Sequence, residues 1–305
     1  MNKKLLVVIA GPTAVGKTTL SIDLAKHFNS EIISCDSRQF FKEMAIGTAV
    51  PSKEELAQVK HHFIQHISLQ KDYSPGDFED DCLDLLEEIF KVKDICFLVG
   101  GSGLYIDAVC KGFDLMPDIP EEIRNQLNSE YDEKGLEYLQ EELKKVDPDY
   151  AAKVDMNNPR RLLRALEVFR TSGQTLTHFQ NQNTSKVRPF EVLKVAISRD
   201  RESLYDRINL RVDLMLAEGL LKEVESLNEY QEKQSLQTVG YQELFSFLNN
   251  EIDYPEAVRL IKRNTRRYAK RQLTWIRRDG NFIAFAPNQQ NDIEKLIQNR
   301  LESFV

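Results

Sequence analysis

Three observations predict an α/β fold, a parallel sheet flanked by helices with a helical domain inserted into it. First, the apolar run Leu5–Ala10 leads into a glycine-rich loop and then into apolar residues at helical spacing. Second, further short apolar runs at 32–35, 95–99, 192–197 and 282–285 alternate with helical patterns, as βαβ units do. Third, the stretch 117–188 carries helical patterns and no strand candidate. The core is therefore assigned to 1–116 and 189–305, and the insertion to 117–188.

The first strand and helix frame the most informative stretch. Gly11, Pro12, Thr13, Ala14, Val15, Gly16, Lys17 and Thr18 fit G-x-x-x-x-G-K-[ST] at every fixed position. Leu20, Ile22, Leu24, Ala25 and Phe28 follow at helical spacing. Strand, loop and helix in this order form a phosphate loop, so the core is P-loop NTPase-like. Glycines let backbone N–H groups converge on an anion, and the helix N-terminus adds partial positive charge. Lys17 would reach phosphate oxygens and the Thr18 hydroxyl would hold Mg²⁺. The loop calls for a diphosphate or triphosphate, which leaves nucleotide binding open.

The second strand ends at Asp36, at the sheet edge where ligands gather. A carboxylate there can serve as a general base or hold Mg²⁺ through water, or simply cap a helix. His62 and His66 have the spacing of a metal pair, but no third ligand is evident and no metal site is assigned. A helix is expected from Phe78 to Phe90. The strand at 95–99 runs into Gly100-Gly101-Ser102-Gly103, where an ATPase would carry an aspartate for Mg²⁺. Small residues there admit a ligand closely, and Ser102 can cap the next helix and donate to phosphate. An ordinary strand-to-helix turn explains the same residues.

In the insertion, Arg160, Arg161 and Arg164 cluster at a helix start marked by Pro159, where cations oppose the dipole. Downstream, Leu204 through Val224 reads as one long helix bearing Arg207 and Arg211 one turn apart. The segment Lys262–Arg278 holds eight Lys or Arg and no acid, interleaved with Tyr268 and the only Trp, Trp275. Cations for a backbone and rings for bases suit an RNA groove, although a solvated helix face is the common reading of a charge run.

Bulk properties narrow the class. The 305 residues are 41% hydrophobic and 29% charged, an ordinary globular composition. No run approaches the ~20 apolar residues of a membrane span, and the N-terminus is too short for a signal peptide. Four cysteines without CxxC spacing suggest reduced thiols in a cytoplasmic protein. A net charge of −7 argues against general nucleic-acid binding but allows one basic stripe to dock a defined polyanion.

With these pieces in place the chain resembles the bacterial tRNA dimethylallyltransferase (isopentenyltransferase) family. The resemblance is carried, in order and nearly end to end, by GPTAVGKT at 11–18, DSRQFFKEMAIGTAVP at 36–51, YSPGDF at 73–78 and LVGGSGLYIDA at 98–108. It continues through NPRRLLRALEVFRTSGQTL at 158–176, RINLRVDLMLAEGLLKEV at 207–224, TVGYQEL at 238–244 and RRYAKRQLTWIRRD at 266–279. Two departures are visible: Val50 stands where the family commonly has Lys, and Ser102 where Thr is frequent. No Cys/His cluster like the zinc finger of eukaryotic relatives is present.

The resemblance implies transfer of a dimethylallyl group from dimethylallyl diphosphate to N6 of adenosine 37 in tRNA, with Mg²⁺ as cofactor. Diphosphate is then the leaving group, which accounts for the missing acid after the third strand. Lys17, Ser102, Arg211 and residues 11–18 would stabilise it, and Asp36 would accept from the adenine amine. The implied contacts to the anticodon stem-loop are Asp36, Ser37, Arg38, Gln39, Ser102, Arg124, Arg160, Arg161, Leu162, Leu163 and Arg164. Gln237, Thr238, Val239, Gly240, Tyr241, Gln242, Lys270, Arg271, Gln272, Trp275 and Arg277 complete them. A cytoplasmic monomer without a membrane segment is expected. A small-metabolite or nucleotide kinase and a prenyltransferase acting on free AMP or ADP share the loop and remain the alternatives.

Overall fold

The computed structural model describes residues 3–112, 116–181 and 186–304. In chain order the elements are β1 Leu5–Ala10, α1 Lys17–His27, β2 Ile32–Ser34, α2 Lys53–Leu56, β3 His61–His62, α3 Pro75–Val92, β4 Ile95–Gly100 and α4 Gly103–Lys111. The helices α5 Glu121–Val146, α6 Pro148–Ala151, α7 Pro159–Ser172 and α8 Leu176–Asn181 follow. Then come β5 Glu191–Ile197, α9 Arg201–Ala217, α10 Leu220–Ser226, α11 Tyr241–Leu248, α12 Tyr254–Asp279, β6 Ile283–Phe285 and α13 Gln290–Glu302.

The strands form one parallel sheet in the order β3-β2-β4-β1-β5-β6. β1 is central and every residue of it is buried, as expected for a parallel strand covered on both faces. Its alternation divides the core. Leu6 and Val8 join Cys82 and Leu86 of α3 and Ile106 of α4 on one face. Leu5, Val7 and Ile9 join Leu20 and Leu24 of α1, Ile208 of α9 and Ile297 of α13 on the other. The right-handed crossovers that parallel pairing requires bring the loops after β1, β2 and β4 to one sheet edge.

Contacts divide the chain into two compact units, Met1–Cys110 with Arg188–Val305, and Lys111–Val187. The second has helices as its only regular elements among the described residues, and its own core of Leu127, Leu139, Leu143, Leu162, Ala165 and Leu166. Within it α5 is interrupted at Gly135, whose φ of 77° no other residue type adopts cheaply.

One expectation is corrected, and one strand appears that no apolar run announces. Leu204–Val224 is two helices, because Gly219 adopts φ 104° and ends the i→i−4 ladder between α9 and α10. The apolar spacing continues on both sides of that break, so periodicity alone does not register it. The polar stretch 51–66 contributes an edge strand, β3, whose two histidines carry no apolar signature. His62 there bonds to Glu31 at 2.7 Å. Among the described residues no group of three or more His, Cys, Asp or Glu could hold a metal.

Candidate active site

The phosphate loop takes its shape from crowding and from its own carbonyls. A Cβ at Gly11 would lie 2.8 Å from the Ile197 carbonyl oxygen, so the strand can turn there only as glycine. Ala14 and Gly16 both have positive φ, 62° and 107°, and fold the loop ahead of α1. A non-glycine residue held at positive φ is strained, and such strain concentrates at functional sites. Lys17 donates through Nζ to the carbonyls of Gly11 at 2.9 Å and Pro12 at 3.0 Å.

Arginines from the segment after β5 surround this loop. Arg199 Nε donates to the Val15 carbonyl, Arg207 Nε to the Ala14 carbonyl at 2.8 Å, and Arg211 Nη1 approaches the Thr13 hydroxyl at 3.5 Å. Burial lowers the Lys17 ammonium to about 8, Asp36 raises it and Arg211 lowers it further. Burial likewise lowers Arg211, again opposed first by Asp36. Cations gathered at a cost in solvation, without a matching number of acids, make a site prepared for an anion.

Asp36 sits opposite, after β2. One of its carboxylate oxygens accepts from the Arg38 N–H at 3.1 Å, closing a turn, so it caps no helix. Ser102, after β4, accepts from the Ser37 N–H at 3.2 Å, and the two hydroxyls pair at 3.3 Å. The Tyr268 phenol is pushed up to about 12, chiefly by burial and then by the Asp36 charge, and a hydrogen bond with Ser102 pulls the other way.

Two chambers meet here. One, of about 770 Å³, is lined by residues 13–19 of the loop, Asp36, Ala45, Ile46, Thr48–Lys53, Glu55, Arg207, Arg211 and Leu214. The other, of about 540 Å³, is lined by Asp36–Arg38, Gly101–Tyr105, Gln237–Gly240, Gln242 and Arg271. Thr13, Asp36, Thr48, Arg211, Met215, Tyr268 and Gln272 line both. The carboxylate thus stands where an anion on the phosphate loop and a group entering from the other side would meet.

The remaining residues singled out in the sequence fall into three groups. Gln237, Thr238, Val239 and Gln242 border the second chamber, and Lys270, Arg271 and Arg277 are exposed on α12. In the helical unit Arg160 and Arg161 are exposed, while Arg124 and Arg164 approach Glu167 at 3.8 and 3.7 Å. Other side chains hold the fold. Leu162 is fully buried and the half-buried Leu163 packs beside it. Tyr241 is fully buried and donates to Glu223. Gln39 donates to the carbonyls of Thr48 and Ala49.

Gln272 and Trp275 explain the glycines after β4. Gln272 accepts from the Thr13 N–H at 2.9 Å and donates to the Gly101 carbonyl at 3.0 Å, and a Cβ at Gly101 would collide with it at 2.1 Å. Trp275 packs against Gly103 and donates to Asp107 at 3.2 Å. Burial commits the side chains of Leu162 and Tyr241 to packing and internal bonds, against the expectation that they contact RNA, while Gln272 braces the phosphate loop and lines both chambers. The indole of Trp275 has a packing duty besides the stacking read from the sequence. The sequence assigns no role to Arg199, Glu223 or Arg207, and offers Tyr268 only as a ring in the basic segment, not as a neighbour of Asp36 and Ser102. Arg207, one helical turn from Arg211, and Tyr268, among the cations of 262–278, left a signal in the sequence.

The IPP transferase family model matches residues 39–279. A tRNA dimethylallyltransferase of Flavobacterium johnsoniae is 47% identical, with 97% of this chain and 98% of the relative covered. One of Christiangramia forsetii is 50% identical over 94% of this chain and 95% of the relative. Among solved structures, the full-length tRNA isopentenylpyrophosphate transferase of Bacillus halodurans aligns with a TM-score of 0.74 at 39% identity, covering 99% and 98% of the two chains. A eukaryotic dimethylallyltransferase acting on tRNA aligns at 0.78 and 29% identity, covering 93% of this chain and 74% of its own. The chain belongs to the IPP transferase family.

Proposed function

We propose that this chain transfers the dimethylallyl group of dimethylallyl diphosphate to N6 of adenosine 37 in tRNA and releases diphosphate. The observation that carries this reading is the pair of chambers joined at Asp36, with phosphate-loop cations on one side and a chamber bearing Arg38 and Arg271 on the other. The C–O bond at the allylic carbon breaks, a C–N bond forms, the electron pair leaves with diphosphate, and N6 loses a proton. Positive charge on the allylic carbon delocalises by itself. The negative charge growing on diphosphate needs the protein, and Lys17, Arg211 and the loop are placed to stabilise it.

Asp36 accepts a hydrogen bond from the exocyclic amine, orients it and takes up the proton it sheds. The adenine has to leave the anticodon-loop stack, at a cost of a few kcal/mol that is lowest in single-stranded loops. Thr18 lines the phosphate chamber and offers a hard oxygen. With phosphate oxygens and water this suits Mg²⁺, which is seldom held by protein alone. The ion would supply further neutralisation of the diphosphate charge.

A kinase reading shares the phosphate loop, but no acid ends β4, where Gly100 to Gly103 stand instead. Incubating the chain with tRNA, dimethylallyl diphosphate and Mg²⁺, followed by mass spectrometry of the tRNA nucleosides, tests the proposal. A prenylated adenosine at the anticodon loop is expected. Unmodified tRNA beside phosphoryl transfer from ATP to a small acceptor would overturn it.

A further inference from the structure

The loop 45–50 is a wall common to both chambers. Ala45, Ile46, Ala49 and Val50 face the phosphate-loop side, Gly47 the other side, and Thr48 both. A carboxylate from α10 holds it. Glu223 Oε2 accepts from the N–H groups of Ala45 at 3.0 Å and Ile46 at 2.7 Å. Its Oε1 accepts from the Gly47 N–H at 3.0 Å and from the Tyr241 hydroxyl at 2.6 Å. Consecutive N–H groups converging on one anion form a nest that fixes the backbone, and bonds to a charged acceptor are about twice as strong as neutral ones.

Tyr241 links this nest to the second chamber. It begins α11 directly after Gln237–Gly240, which border that chamber. Its ring is so close to Gly47 that a Cβ there would lie 2.5 Å away. Burial and the Glu223 carboxylate both push the phenol up, so it stays a donor. Gly219, which breaks the helix between α9 and α10, sets Glu223 in the first turn of α10 beside the loop.

We infer that Glu223 is a positioning residue that sets the walls of the donor chamber and the tRNA chamber together, through loop 45–47 and Tyr241. This rests on the prenyl-transfer reading given above. One carboxylate grips the donor-side loop by its amides and the acceptor-side segment by a phenol, so loosening it moves both walls.

The test is steady-state kinetics of prenyl transfer by the full chain, with dimethylallyl diphosphate and tRNA varied in turn, for Glu223→Gln, Tyr241→Phe and the double variant. The melting temperature of each is recorded, and assays are run well below it. Wild-type protein without transferase activity would refute the functional reading and not this inference. Given activity, both variants are expected to raise KM for both substrates, Glu223→Gln on the order of tenfold, with kcat changing less. The double variant should be no worse than Glu223→Gln, since both act through one carboxylate. Should Glu223→Gln not fold, Tyr241→Phe, which keeps the ring, carries the test alone. A lowered melting temperature with neither KM altered, or a rise for one substrate only, would overturn the coupling.

Discussion

At Lys17 burial strips water from the ammonium while Asp36 across the cleft favours its charge, and burial wins, setting its pKa at about 8. An anion on the loop would reverse the balance, so its binding takes up a proton once the pH exceeds about 8. Affinity for diphosphate should hold below that value and fall as pH rises through it. Titration calorimetry in buffers of different ionisation enthalpy would show the proton uptake. An affinity unchanged across this range would mean that Lys17 does not meet the anion. Asp36→Ala should lower the prenylation rate by about 10²–10⁴-fold, the usual weight of a positioned acid or base, and leave tRNA affinity nearly unchanged. The same substitution removes a charge that raises Lys17, so the pH midpoint for diphosphate binding should move down. Full activity of Asp36→Ala would remove it from the chemistry.

Among the elements, α12 serves two ends at once. Its inner side carries Ala269 and Ile276 into the core and Gln272 onto the phosphate loop, while Lys270, Arg271 and Arg277 stay exposed. Gln272→Ala would leave the Thr13 N–H and the Gly101 carbonyl without their partner, at about 1–3 kcal/mol for each buried group that water cannot reach. Chemical denaturation should show that loss, accompanied by a raised KM for dimethylallyl diphosphate. Gly101→Ala should behave similarly, because its Cβ would displace the same amide. Stability unchanged in both variants would contradict the role given to this contact. The α9–α10 junction shows what periodicity misses. A helix ladder can stop at one glycine while the apolar stripe runs on, and that stop gives Glu223 its position.

For the whole molecule, charge placement matters more than net charge. The chain is acidic overall at −7, yet α12 and the start of α7 each present exposed cations. In the helical unit Arg160 is exposed and Arg164 approaches the Glu167 carboxylate at 3.7 Å. Replacing both by alanine should raise KM for tRNA and lessen the slope of log affinity against log salt by about 2, while KM for dimethylallyl diphosphate stays put. Filter binding across a salt series would measure it. An unchanged slope would mean these arginines touch no phosphate.

The order of residues alone was enough for the apolar strands, the phosphate loop and the family, though not for the edge strand β3. Buried parallel strands must be continuously apolar, and a loop that closes on an anion must carry glycine and lysine at fixed spacing. Such constraints are local, so Leu5–Ala10 and Gly11–Thr18 declare themselves in the order of residues. The roles of Gln272, Tyr241 and Glu223 emerge from folding alone. Their partners lie 259, 18 and 178 positions away, at Thr13, Glu223 and Ala45. A hydrogen bond needs two groups within about 3 Å, and nothing in a chain's order states which distant groups folding will bring that close.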